Sequence, residues 1–135
     1  MVLNIRYCLI TKYFNMKRQG IITYRNILAH LYKQIPEFRN NLEYNDPEPG
    51  IHLVAFSGFL DQVIESDNQE LLERCCQLLN RMAESRDVNI QASLTTEIFI
   101  GLIDRGSAYV NAVKAYLSPK ALELLALTDK MWHRR

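Results

Sequence analysis

The stretch "LLERCCQLLNRMAESRDV", residues 71–88, decides how the rest of the chain is read. Leu71, Leu72, Cys75, Cys76, Leu79, Met82 and Ala83 recur at steps of three and four, the spacing of one face of an α-helix. Glu70, Glu73, Gln77, Asn80 and Glu84 follow the same steps on the opposite face. A helix therefore runs through this stretch, carrying a wide apolar stripe that other elements must cover. Successive helical residues point about 100° apart, so Cys75 and Cys76 cannot face one metal together or join in a relaxed disulfide. Both read as core-filling side chains, cysteine being among the most often buried residue types.

Downstream, Asp87 is a good N-cap for a helix that carries Val88, Ala92, Thr95, Ile98, Phe99, Leu102 and Ile103 toward a core before Gly106 stops it. Tyr109 to Leu117 forms a shorter helix, and Ser118-Pro119 supplies an N-cap followed by proline at the first helical position of the last one. Upstream, Asp67 and Glu70 have the spacing of a capping box, which opens the helix of the quoted stretch at Asp67. "IHLVAFSGFLDQVIES", residues 51–66, is read as turning Ile51, Val54, Ala55, Phe59, Val63 and Ile64 inward and Ser57, Asp61 and Glu65 outward. "NNLEYNDPEPG", residues 40–50, is a loop in which Pro47, Pro49 and Gly50 oppose regular structure. Before it, "TYRNILAHLYKQI", residues 23–35, sets Tyr24, Ile27, Leu28, Leu31, Tyr32 and Ile35 at helical spacing, and Pro36 ends or restarts that helix.

The expectation is an all-α domain over residues 21–135, with about six helices in antiparallel pairs, arranged either as HEAT-like hairpins or as a compact helical bundle. Residues 1–20 form an extension of different character. Leu3, Ile5, Tyr7 and Leu9 alternate there with Asn4, Arg6 and Cys8, as in a strand or a frayed helix, and Met16 before Lys17-Arg18 is an alternative start.

Composition narrows the function. A chain of 135 residues with 48% hydrophobic and 23% charged side chains suits one soluble domain whose core needs no staples. Three cysteines, at positions 8, 75 and 76, make an odd set without framework spacing, so reduced thiols are expected. Met1–Phe14 is interrupted by Asn4, Arg6, Thr11 and Lys12 and lacks the continuous apolar run of a signal peptide, which points to the cytoplasm with no membrane role. His30, His52 and His133 stand apart from one another and from the cysteines, so no metal site and no cofactor are expected. No glycine-rich phosphate loop and no strand-borne nucleophile motif occur, and catalysis finds no support. Gly58 and Gly101 fall inside helices, where each is read as permitting close helix approach.

Charge is distributed unevenly. Residues 1–40 carry seven basic and one acidic side chain, residues 41–104 three basic and twelve acidic, and residues 105–135 six basic and two acidic. Within the acidic middle, Asp61, Glu65, Asp67, Glu70, Glu73 and Glu84 fall on neighbouring helix faces and form a candidate partner-binding patch for one basic protein. Binding of nucleic acid through Lys17-Arg18 and Arg134-Arg135, with Trp132 nearby, is the alternative.

The succession "HLVAFSGFLDQVIESDNQELLERCCQLLNRMAESRDVNIQASLTTEIFIGL", residues 52–102, followed by "YLSPKALELL", residues 116–125, resembles small all-helical bacterial proteins of uncharacterised type. Some of these look like immunity proteins beside polymorphic toxin genes. The resemblance extends over residues 21–133 and departs at Cys75 and Cys76, where larger apolar or aromatic side chains are expected. It implies a protein that neutralises a cognate toxin by tight binding, without catalysis, and it transfers no site residue.

Overall fold

The computed structural model describes residues 20–39 and 47–133. The helices are α1 (Ile27–Gln34), α2 (Pro36–Arg39), α3 (Pro49–Glu65), α4 (Gln69–Ala83), α5 (Val88–Ser93), α6 (Ile100–Arg105), α7 (Ser107–Lys114) and α8 (Pro119–Trp132), with a π-helical turn over Leu94–Phe99. The backbone stays right-handed helical at Ser93, Leu94, Phe99 and Ile100, so α5, the π-turn and α6 run as one rod. This is a compact all-α fold, as the helical periodicity predicts. No described helix is long and apolar enough to cross a membrane.

Two elements organise the packing. The stripe of α4 buries Leu71, Leu72, Cys75, Cys76, Leu78, Leu79, Met82 and Ala83, and the helix touches α1, α3, α5, the π-turn and α8. Burying a leucine-sized side chain is worth roughly 1.5–3 kcal/mol, so this one stripe is a principal source of stability. The π-turn in turn touches α3, α4, α5, α6 and α8. Cys75 and Cys76 are wholly buried, and burial pushes both thiols up to about 12, which keeps them protonated and inert.

The rod shows why a π-turn forms. Its buried pairs are Ser93 with Leu94, Ile98 with Phe99, and Leu102 with Ile103. The first of the two intervals is a step of five, longer than an α-turn covers, and the wider winding absorbs it. Thr95 and Thr96 both donate hydroxyl hydrogen bonds to the Ala92 carbonyl, at 2.9 and 2.8 Å, where the backbone ladder changes register. The expected inward positions of Val88 and Ala92 are therefore corrected: both are exposed, and Ile90 turns inward in their place.

Helix α3 is rotated from its expected setting. It buries His52, Leu53, Phe56, Ser57, Leu60, Asp61 and Val63, whereas Ile51 and Val54 are 41% and 59% exposed. The helix is apolar nearly all round, so periodicity could not choose a face; tertiary contacts did. A Cβ on Gly101 would lie 2.7 Å from Ser57 Oγ, so Gly101 does admit close helix approach. Gly58 does not, for a Cβ there would meet nothing within 4 Å. An aromatic cluster holds α2 on the other side, with Phe38 stacked on Tyr32 at 5.6 Å between centroids and in contact with Phe56 and Phe59 at 5.4 and 5.3 Å.

Caps define the turns. Asn68, not Asp67, caps α4, accepting from the Leu71 amide at 3.2 Å; Asp67 occupies the preceding turn with a φ of 56°, a conformation that aspartate tolerates better than most residues. Pro49 and Gly50 belong to the first turn of α3 and not to the loop before it, proline at a first helical position losing no hydrogen bond. Asp87 and Ser118 cap α5 and α8 as expected. The expectations for residues 1–19, Cys8 and Lys17-Arg18 included, and for 40–46 and Arg134-Arg135 lie outside the described residues.

Candidate functional site

The six acidic residues separate into three situations. Glu73 and Glu84 stand exposed on the outer side of α4, Asp67 is exposed at the turn leading into it, and none of the three forms an ion pair with a described residue. Glu70 is exposed but engaged: Arg74 spans Glu70 and Glu37, with Nε 2.7 Å from Glu70 Oε1 and Nη1 3.0 Å from Glu37 Oε1. The guanidinium holds both carboxyls below their usual range. Asn80, on the same polar side, is spent on structure, its amide bonding the Tyr116 carbonyl at 3.0 Å and the Ser118 amide at 2.8 Å. The free part of this side is thus a ridge of Asp67, Glu73 and Glu84.

Asp61 does not join that ridge. It was expected on an outward face, but it is buried, with Oδ2 3.1 Å from Arg105 Nε and Oδ1 without a hydrogen-bond partner among the described residues. Burial raises its pKa, and Arg105 partly offsets the rise. Glu65, one turn on, remains exposed and accepts a hydrogen bond from the Tyr109 hydroxyl at 2.7 Å, which links α3 to α7. This pair and the Asp61–Arg105 pair brace α3 against the elements that follow it.

A second acidic place was not anticipated. Ile51 and Val54, the residues that the rotation of α3 turned outward, form with Glu48, Gly50, Ala55 and Glu97 a cleft of about 530 Å3. Glu48 caps α3, accepting from the Gly50 amide at 3.4 Å and from the Tyr24 hydroxyl. That hydrogen bond, chiefly, pushes the Tyr24 phenol up to about 12, so Tyr24 is a fixed donor. Tyr24 is positioned by Asp87, which accepts from its amide at 2.8 Å while also capping α5. The same segment is tied to the end of α4 by Ser85, which donates to the Ile22 carbonyl at 2.6 Å, and by Arg81, which donates to the Gly20 carbonyl at 3.1 Å.

Glu97 enters the cleft from the π-turn. Burial raises its pKa, a hydrogen bond from Ser93 lowers it, and the charge of Glu48 raises it again. Its Oε2 is buried with no hydrogen-bond partner among the described residues. A Cβ on Gly50 would stand 3.3 Å from Glu97 Oε1 and 3.7 Å from Glu48 Oε1, so the glycine lets both carboxylates approach the first turn of α3. Two signals in the sequence mark this place: the step of five between Leu94 and Phe99, and Glu97 set within it.

Among the described residues no three His, Cys, Asp or Glu side chains converge as ligands for a metal ion. The helices define a compact all-α domain with an acidic ridge on one helix and a carboxylate-flanked cleft at the start of another. The chain belongs to the DUF7674 family, a domain of unknown function, which matches residues 28–133 and so includes both surfaces. No curated protein and no solved structure matches the chain.

Proposed function

We propose that this chain is a non-catalytic binding protein for one basic protein, acting in the cytoplasm in the manner of an immunity protein that neutralises a cognate toxin. The observation that carries the reading is the ridge of Asp67, Glu73 and Glu84, three exposed carboxylates without a described counter-ion at the edge of a rigid, deeply packed helix. Like charge with no counter-ion on a well-packed element raises association rates and selects an oppositely charged partner. Glu70 contributes to the same field with its charge partly cancelled by Arg74, and Glu65 extends it toward α7. Asp61 acts in this reading by bracing α3 through Arg105 rather than by touching the partner.

The test is capture of the partner by tagged protein from cells that produce it, at about 0.15 M salt, beside a Glu73→Lys, Glu84→Lys double variant. One basic protein retained in stoichiometric amount by the native chain and lost by the double variant, with helical circular dichroism unchanged, is the expected result. Capture indifferent to the double variant removes the ridge. Recovery of nucleic acid alone, released steeply by salt, replaces the reading with the alternative.

A further inference from the structure

We infer that His30 and Arg81 form a pH-sensitive latch: closed while the imidazole is neutral, it ties the segment that precedes α1 to the end of α4, and it lets go of Gly20 when the imidazole takes up a proton. The latch is independent of the binding reading above, for it operates whatever the chain binds.

Residues 20–26 pass the end of α4 without helix before α1 begins. Arg81, buried on α4, meets them with one nitrogen that serves two acceptors: Nη2 lies 3.1 Å from the Gly20 carbonyl oxygen and 3.0 Å from His30 Nδ1, while Nη1 is 2.7 Å from Gln34 Oε1. A guanidinium only donates, so Nδ1 must accept, and the imidazole in this arrangement is neutral with its proton on Nε2. Protonation turns Nδ1 into a second donor aimed at a cation 3.0 Å away. The two side chains must then part, and the nitrogen that withdraws from His30 is the one that holds Gly20. Apolar burial does not retain this end, Ile21 being 75% exposed, and the Asn26 amide bond to the Ile21 carbonyl at 3.0 Å is internal to the segment. The ties from Ser85 to the Ile22 carbonyl, at 2.6 Å, and from Asp87 to the Tyr24 amide, at 2.8 Å, fall beyond it and do not involve His30. Opening is thereby confined to Gly20 and Ile21, and the buried Ile22 stays in place.

Helix α1 packs on α2, α3 and α4. Among the described residues the charged groups that act on His30 are Arg81 and, on its own helix, Lys33, both cationic. Glu37 of α2 is taken by Arg74, and His52 of α3 lies against Tyr32. Burial first, then these two cations, hold the imidazole below its ordinary value. The latch is therefore fully closed above the unfolded histidine value of about 6.5 and yields as pH falls through the lower folded value.

The experiment is a scan of the isotopically labelled full chain from about pH 8 to about pH 5, above the ordinary carboxylate range, with the His30 ring proton shifts followed beside the backbone order parameters of residues 20–26. His30 should titrate below about 6.5. In step with it, the order parameters of Gly20 and Ile21 should fall from about 0.85 to below about 0.6, with Ile22 and Tyr24 unchanged. His30→Asn, which sets an amide oxygen near the position of Nδ1 and has no proton to gain, should keep Gly20 and Ile21 rigid throughout. Loosening at Gly20 that persists in His30→Asn, a His30 midpoint at or above about 6.5, or a Gly20 that stays rigid while His30 titrates overturns the inference. If His30→Asn fails to fold, the native scan decides alone, through the coincidence or separation of the two midpoints.

Discussion

The ridge on α4 and the cleft at the head of α3 both expose carboxylates, yet they stand in opposite relation to the fold. The ridge residues Glu73 and Glu84 are solvated and lie opposite the stripe that anchors their helix. They are bystanders to stability, and exposed charges of this kind contribute little to it. In the cleft, Glu97 is half-buried in the middle of the rod, its charge is opposed by burial and by Glu48, and one oxygen is unsatisfied. A group kept under such conditions works against the fold, and positions that disfavour stability are where function concentrates. The difference teaches that equal formal charge marks two kinds of surface: one that is solvated and costs the fold little, and one whose charge is held against burial.

The contrast depends first on the rotation of α3, because only that rotation turns Ile51 and Val54 outward. Breaking it should produce the largest effect. Gly101→Ala puts a methyl 2.7 Å from buried Ser57 Oγ, and the serine must move within packed surroundings. We expect a loss of about 1–3 kcal/mol in denaturant unfolding, with amide shifts spreading along α3 to Gly50 and leaving Glu73 and Glu84 unmoved. Gly58→Ala, in open space on the same helix, should instead gain about 0.5–1 kcal/mol through helix propensity. A destabilising Gly58→Ala, or a neutral Gly101→Ala, would show that α3 is set in some other way.

The second effect is on binding. Reversal of Glu73 and Glu84 together should slow association with the basic partner about tenfold at low salt and leave the unfolding midpoint almost unchanged. The effect should shrink as salt rises, since these charges lie in solvent and are screened over about 10 Å at 0.1 M. Stopped-flow association at two ionic strengths checks it; a salt-independent loss would mean that the ridge makes buried contact and belongs to the same kind of surface as the cleft.

The ridge was legible in the sequence because it lies on one helix with one period, where Leu71, Cys75, Leu79 and Met82 define the inside and Glu73 and Glu84 must fall outside. The cleft was not, for reasons that can be named. Residues 51–56 read Ile-His-Leu-Val-Ala-Phe, so no periodicity distinguishes an inner from an outer face, and the choice was made by Ser57 against Gly101 and Asp61 against Arg105. Those partners are more than forty residues apart in the chain, beyond the reach of any local pattern. Glu97 falls at the step of five, where a reading in units of 3.6 loses phase and displaces the faces before and after it. Similarly, Asp67 and Asn68 both have capping side chains, and only the positive φ at Asp67 shows which of the two the turn needed.

The smallest expected effect separates the two surfaces most cleanly, because it has a sign. Glu97 has a folded-state pKa above its unfolded value. Its contribution to stability is therefore fully present below the unfolded carboxylate value of about 4.5 and is lost as pH rises through the folded value. At neutral pH the ionised side chain is a liability, and Glu97→Gln should raise stability by about 1 kcal/mol, the scale for relieving one unsatisfied buried group. That gain should disappear as pH falls below about 4.5, where the native glutamate is itself neutral. Glu73→Gln, on the ridge, should change stability by less than about 0.5 kcal/mol at any pH. Other groups bend the background curve: His30, held neutral mainly by burial and by Arg81 beside it, favours the fold above about pH 6.5 and ceases to do so as pH falls. The comparison of each variant with the native chain at the same pH cancels that background, since His30 is common to all of them. If Glu97→Gln destabilises the protein at neutral pH, the glutamate is a structural member held by Ser93, and the cleft loses the strain that distinguishes it from the ridge.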